Sequence, residues 1–225
     1  MKKLIFTILI IINSTYVFSQ IDYKNQSFNI GIESINEFRD FLLIKNDANY
    51  KSEMEPLIKW GIDNFKKYGF EVERLETPEL PLLLASKIIS EKAKTILIYL
   101  QFDGQPVDNS KWEQQDPYRA VLKEKINEKY EIVNWEILKG ISMKDILEKD
   151  LRIFARSSSD AKGPVMMMLS ALEIMRRNDI ELKYNIKVIM DFEEEISSPN
   201  LAAAVKKYSS KLKSDALFIF DGPKH

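Results

Sequence analysis

The sequence predicts an α/β fold, a mixed and largely parallel sheet flanked by helices, and three observations carry that prediction. Strand-like and helix-like apolar periodicities alternate along the chain, the order expected of a sheet layered with helices. Three apolar runs end in acids: residues 96–100 lead to Asp103, residues 186–190 lead to a run ending Glu193-Glu194-Glu195, and residues 216–220 lead to Asp221. Ligands of open α/β sheets sit beyond the carboxyl ends of parallel strands. Like charges gathered there are costly unless solvent or a cation neutralises them, so the pattern suggests an oxygen-rich metal site.

The elements follow in order. Residues 20–31 read as a polar, irregular lead-in. Ile35, Phe38, Phe41 and Leu42 recur at helical spacing and predict a helix over 33–45. Met54, Leu57, Ile58, Ile62 and Phe65 mark a second helix over 51–68, closed by Gly69. Residues 70–75 alternate as a half-exposed strand, Pro78 and Pro81 make a turn, and 82–89 form another strand. The first acid-tipped strand, 95–103, is followed by an irregular stretch over 104–118, a length more often functional than idle. Mixed strand and short helix are expected over 119–150, a strand over 151–155, and an apolar helix over 165–177 with Pro164 in its first turn. A helix over 201–212 separates the last two strands.

The chain opens Met1-Lys2-Lys3, continues with an apolar run over 4–12, and ends that segment Val17-Phe18-Ser19. This is the layout of a secretory signal peptide over residues 1–19, cut before Gln20. The run is short for a membrane span, although an uncleaved anchor is the alternative. A periplasmic or secreted location follows, with no membrane association after cleavage. The sequence has no cysteine, which excludes disulfides and lipid attachment through a thiol. With 33 basic and 34 acidic residues, the balance gives no support for a nucleic-acid surface.

Taken singly, each motif also has a plain structural reading. Glu193 to Glu195 could be the acidic start of a helix, and Asp160 could be the N-cap of the helix that follows it. The Met166, Met167 and Met168 run is core packing, since adjacent helical positions face different directions. Ser157 to Ser159 lacks a nearby histidine to make a nucleophile. Trp112 reads as a loop anchor. Arg156 and Lys162 either bind a substrate carboxylate or balance the acids.

Taken in order, the segments Gln101-Phe102-Asp103-Gly104-Gln105-Pro106-Val107-Asp108, Trp112, Asp116-Pro117-Tyr118, Arg156 through Pro164, Glu193 through Pro199 and Asp221 resemble the M20 metallopeptidases, the group of carnosinase-like dipeptidases, acetylornithine deacetylase and succinyl-diaminopimelate desuccinylase. The resemblance covers roughly residues 30–225 and implies a zinc-peptidase-like catalytic domain. It implies two divalent metal ions, bridged by Asp160, with Glu195 and Asp221 as terminal ligands. Glu194 matches the general base and Asp103 the acid that orients a ligating imidazole. Glu194 and Glu195 point to opposite sides if the strand is still extended.

Two departures stand out. Gln101 occupies the position where the family has its first histidine ligand, and the only histidine is His225. An amide is a poorer zinc ligand than imidazole, which favours Mn²⁺ or Mg²⁺ over Zn²⁺. Asp103 then loses an imidazole to orient and could itself become a ligand. Family members are also longer, with a lid or dimerisation domain after the region matched here, so residues 20–225 read as the N-terminal part of the catalytic domain. A homodimer is expected only if that further domain exists. The implied function is hydrolysis of the amide bond of small peptides or N-acyl amino acids. The alternatives are a catalytically inactive remnant or binding half-domain, and a glycosidase using Asp103 with Glu194.

Overall fold

The computed structural model describes residues 22–222, so the expected signal peptide over 1–19 and His225 lie outside the described residues. Helices α1 (Tyr23–Glu33) and α2 (Ile35–Leu43) are followed by α3 (Glu55–Lys67), then strands β1 (Glu71–Leu75), β2 (Leu82–Lys87) and β3 (Thr95–Gln101). Strands β4 (Val121–Ile126) and β5 (Lys129–Val133), helix α4 (Met143–Glu148) and strand β6 (Arg152–Phe154) form an excursion. Helix α5 (Lys162–Arg177), strand β7 (Asn185–Asp191), helices α6 (Leu201–Lys207) and α7 (Ser209–Leu212) and strand β8 (Ala216–Phe220) complete the order.

The main sheet runs β1-β2-β7-β3-β8. Strands β7, β3 and β8 are parallel, while β1 and β2 add antiparallel pairings on one side. The excursion makes a separate antiparallel sheet, β5-β4-β6. Alternate residues of each strand reach opposite faces. Leu83, Ala85, Ile98, Leu100, Val188 and Met190 pack under α2, α3 and α5, and Leu82, Leu84, Leu97 and Ile189 pack with Ala204 of α6 and Leu212 of α7. Helices therefore cover both faces, the layering that the alternating pattern predicts.

Several local expectations change. The polar lead-in is helical from Tyr23, capped by the Asp22 carboxylate, which accepts from the Asn25 N–H at 3.0 Å; Ile30 is its one buried residue. The helix over 201–212 breaks at Tyr208 into two short pieces. Helix α5 starts at Lys162, three residues earlier than expected, and Ala161 is its N-cap with no side-chain cap bond; Asp160 is thus not the cap. Within α5, Met166 and Met168 are buried while Met167 is 63% exposed, as adjacent helical positions require.

Strand β8 lies at the edge of the sheet with only β3 beside it. Leu217, Phe218 and Ile219, which point alternately to the two faces, are 56%, 51% and 64% exposed. An apolar strand open on its edge and both faces is a template for pairing with another chain. We expect the isolated chain to self-associate at micromolar concentration, and Phe218→Lys to reduce that association without lowering the thermal midpoint. Sedimentation velocity with a parallel melting curve checks both points.

Candidate active site

The parallel core of the sheet sets the geometry. Gln101 of β3 stands opposite Asp191 of β7, and Leu100 opposite Phe220 of β8, so three acid-bearing strand ends finish level. Phe102 and Phe192 are both fully buried, with ring centroids 5.2 Å apart. Each follows a strand end and is followed by an acid, and burying the rings turns Asp103 and Glu193 to defined positions.

Asp103 is fully buried, and its two carboxylate oxygens accept the backbone N–H groups of Glu194 at 3.1 Å and Glu195 at 2.9 Å. Burial pushes the Asp103 carboxyl up to about 8 against the pull of those two amides, and the Asp191 charge adds to the rise. Asp103 therefore orients the backbone of the Glu194-Glu195 pair. Those two residues are not extended: residues 194–196 form a 3₁₀ turn, so the alternation expected of a strand does not apply to them. Ser197 and Ser198 take positive φ of 72° and 43°. Asp191 fixes this turn by accepting from the Tyr99 hydroxyl at 2.9 Å, the Ser198 hydroxyl at 2.7 Å and the Glu193 N–H at 3.0 Å. Asn200 donates to Glu193 at 2.8 Å.

Glu194, Glu195, Asp160 and Asp221 lie close enough to act on one another's charge. Burial raises the Glu194 pKa, with Glu195, Asp221 and Asp160 adding to the effect. Burial and then Asp160 raise that of Glu195, while the Gln105 amide, bonded to its carboxylate, lowers it. Gly222 brings Asp221 beside Asp160: a Cβ on that glycine would stand 3.0 Å from the Asp160 Cβ. The structure thus gathers Asp160, Glu194, Glu195 and Asp221 around the same strand ends, with Asp103 directly behind the glutamates. Gln101 is buried beneath them, and its side chain reaches the Glu195 carboxylate and helps to lower its pKa.

The loop carrying Asp160 is held from behind by residues that sequence reasoning did not single out for this task. Lys162 is fully buried, and its ammonium group donates to the carbonyls of Phe41 at 2.9 Å, Leu42 at 3.5 Å and Ile44. These are carbonyls at the end of α2, where intrahelical donors run out; that of Phe41 also takes the Ile44 N–H at 3.2 Å. Asn46 is also fully buried; its amide donates to the Phe102 carbonyl and the Ser157 hydroxyl, each at 3.0 Å, and its own carbonyl takes the Gly104 N–H at 2.8 Å. One residue thereby ties the Asp103 strand end to the Asp160 loop. Lys162 binds neither a substrate carboxylate nor the acid cluster. Arg156 lies over the Trp112 ring at 5.5 Å and donates to the Pro106 carbonyl at 3.1 Å, which makes Trp112 a loop anchor as expected.

A Cβ on Gly163 would stand 2.6 Å from the Ser158 carbonyl oxygen, so the loop can close only over glycine. Gly163→Ala should cost about 1–3 kcal/mol by overpacking, read as a lower denaturation midpoint with an unchanged m-value.

Residues 134–224 match the family model Peptidase family M20/M25/M40. A Beta-Ala-His dipeptidase of Homo sapiens is 22% identical over 90% of this chain and 37% of its own length. A Cysteinylglycine-S-conjugate dipeptidase of Corynebacterium striatum is 25% identical over 75% of this chain and 31% of its own. Among solved structures, the M20 family metallo-carboxypeptidase Sso-CP2 from Sulfolobus solfataricus superposes with a TM-score of 0.64 at 26% identity, over 84% of this chain and 37% of that one. Human carnosine dipeptidase 1 superposes with a TM-score of 0.67 at 20% identity, over 89% and 41%. The chain is similar to the M20 peptidases in sequence and fold. It spans about a third of the length of the curated relatives it matches.

The M20 relationship raises the question of whether these residues suit a metal. Among the described residues, no three His, Asp or Glu side chains are already arranged as a metal-holding group. The donor set fits a cation nonetheless. Four carboxylates share one small region, two of them with pKa raised by burial and by their neighbours' charge. A positive ion relieves that burial and repulsion. The set is all oxygen, which suits a hard divalent ion better than an imidazole-bound zinc. Gln101 can join it only by presenting its amide oxygen. Among the described residues, no helix is long and apolar enough to cross a membrane.

Proposed function

We propose that this chain carries the metal-binding half-site of an exported hydrolase that cleaves the amide bond of small peptides or N-acyl amino acids. The observation that carries the reading is the convergence of Asp160, Glu194, Glu195 and Asp221 on the strand ends, with Asp103 bonded to the backbone of both glutamates. The names of the related dipeptidases support peptides as substrates.

Asp160, Glu195 and Asp221 would hold divalent cations, with Gln101 as a weak further donor. Bound cations supply Lewis acidity, polarising the scissile carbonyl and making water more acidic. Glu194 takes the proton from the attacking water, the role of a general base. Asp103 keeps Glu194 and Glu195 in place through their backbones, so it needs no imidazole partner to serve the site.

Calorimetric titration with Mn²⁺ or Zn²⁺ should show saturable binding that Asp160→Asn abolishes. Glu194→Gln should retain that binding and lower hydrolysis of a dipeptide by at least about 10²-fold, as expected for loss of a general base. A second reading, an inactive binding remnant, is favoured by one observation: Gln101 stands where the family has histidine. Metal binding with no dipeptide hydrolysis selects the remnant, and absence of metal binding overturns the hydrolase.

A further inference from the structure

The sequence holds two Asp-Gly pairs in nearly the same local context, Phe102-Asp103-Gly104 and Phe220-Asp221-Gly222. An Asp-Gly pair is open to an internal reaction in which the glycine nitrogen attacks the aspartate carboxyl carbon. Glycine puts no side chain beside that nitrogen, and its backbone turns freely. The fold treats the two pairs in opposite ways.

Asp103 and Gly104 are locked. Both are buried. Each Asp103 carboxylate oxygen accepts a backbone N–H, from Glu194 at 3.1 Å and from Glu195 at 2.9 Å, and the Gly104 N–H is held by the Asn46 carbonyl at 2.8 Å. A Cβ on Gly104 would collide with the Ser157 Oγ, so the backbone there has no room to turn. Ring closure would have to break both carboxylate bonds, each worth about 1.5–3 kcal/mol. Asp221 and Gly222 instead follow the edge strand β8. Asp221 is exposed, and the Gly222 nitrogen already lies 2.7 Å from one oxygen of its carboxyl group. The carbon to be attacked is one bond from that oxygen. Neither this N–H nor this carboxylate makes another hydrogen bond among the described residues.

We propose that Asp221 is a site of spontaneous isomerisation to isoaspartate, a modification that dismantles the acid cluster from within. The Gly222 nitrogen bonds to the Asp221 carboxyl carbon, the bond from that carbon to one oxygen breaks, and the oxygen leaves as water with the amide proton and one from solvent. Water then reopens the five-membered imide at either carbonyl, restoring aspartate or giving isoaspartate. In the isomer the main chain runs through the side-chain methylene and the carboxylate sits on a shorter arm, so it leaves its place beside Glu194 and Asp160. No metal and no substrate enters the reaction, so the proposal holds or fails independently of the hydrolase reading.

The test keeps the full chain in neutral buffer with excess chelator at physiological temperature, native in one sample and in guanidinium chloride in another. Peptide mapping with electron-transfer fragmentation reads isoaspartate at both pairs over time. In the native chain, isoaspartate should form at least about tenfold faster at Asp221 than at Asp103, a barrier difference of about 1.4 kcal/mol, which the loss of one Asp103 hydrogen bond already exceeds. In guanidinium chloride the two rates should converge, because the local sequences are alike. A smaller native ratio, or no isoaspartate at Asp221 in a native chain whose denatured form makes it, overturns the proposal. A tenfold ratio that persists in guanidinium chloride would come from the flanking residues and overturns it as well.

Discussion

Lys162→Ala is expected to destabilise the chain by about 3–5 kcal/mol, the range for emptying a buried site while orphaning hydrogen-bond partners. The side chain has no exposure and lies with its ammonium 4.9 Å from the centre of the Phe41 ring. Burial lowers its pKa well below the usual lysine value, yet the group is not idle, because three carbonyls at the end of α2 take its hydrogens. Removing it takes a donor from all three carbonyls, of which only that of Phe41 keeps a backbone N–H, from Ile44, and opens a cavity at the start of α5. Lys162→Met separates the two costs: it keeps most of the packing volume and loses only the donors. We expect its loss to be about half that of alanine, since each orphaned acceptor costs about 1–3 kcal/mol. Urea denaturation of the three proteins measures both differences, and an alanine variant within 1 kcal/mol of the parent would remove Lys162 from the account of how Asp160 is held.

Asp103 is expected to make the metal-free chain lose stability as pH rises from about 4 to about 8. Its carboxyl titrates near its ordinary value of 3.8 when unfolded and at about 8 when folded. Between those values the folded chain holds a proton that the unfolded chain has released. Stability therefore falls with rising pH through this window and levels off above it. A shift of this size corresponds to several kcal/mol, at 1.36 kcal/mol per unit. Asp103→Asn keeps the shape and one of the two acceptor oxygens but cannot ionise, so its stability, though lower, should vary much less over the same range. Thermal midpoints of both proteins at pH 5 and pH 8 in chelator decide the matter: parallel changes would show that another group dominates.

The layered α/β architecture was legible because it rests on periodicity, and β3, β7 and β8 each combine an apolar run with an acid at its end. The converging carboxylates were legible for the same reason, since parallel strands that end level bring their tips together. Helix α1 was missed because its apolar residues are few and only Ile30 is buried. The 3₁₀ turn at Glu194 was hidden because it depends on partners 91 and 92 residues away in Asp103. Lys162 illustrates the general difficulty. As a charged residue beside a candidate ligand it invited a surface or substrate role, whereas its three acceptors lie about 120 residues earlier in the chain. The same distance concealed Asn46, whose bond to the Ser157 hydroxyl spans 111 positions. A strand leaves a local pattern in the sequence, while a clamp between distant segments leaves none.

The parallel pairing of β3 with β7 and β8 has a kinetic consequence. Gln101 meets Asp191, and Leu100 meets Phe220, across long stretches of chain that must be closed before either contact forms. Contacts of such sequence separation form late and slow the folding of the domain that needs them. The hairpin of β4 and β5, joined by a two-residue turn at Asn127 and Glu128, can form early and alone. Backbone amides of Glu194 and Glu195 should then gain protection from hydrogen exchange only in the final folding phase, after the β4–β5 hairpin is already protected. These two protons are clocks for the sheet, starting only when β3 and β7, far apart in the sequence, have met.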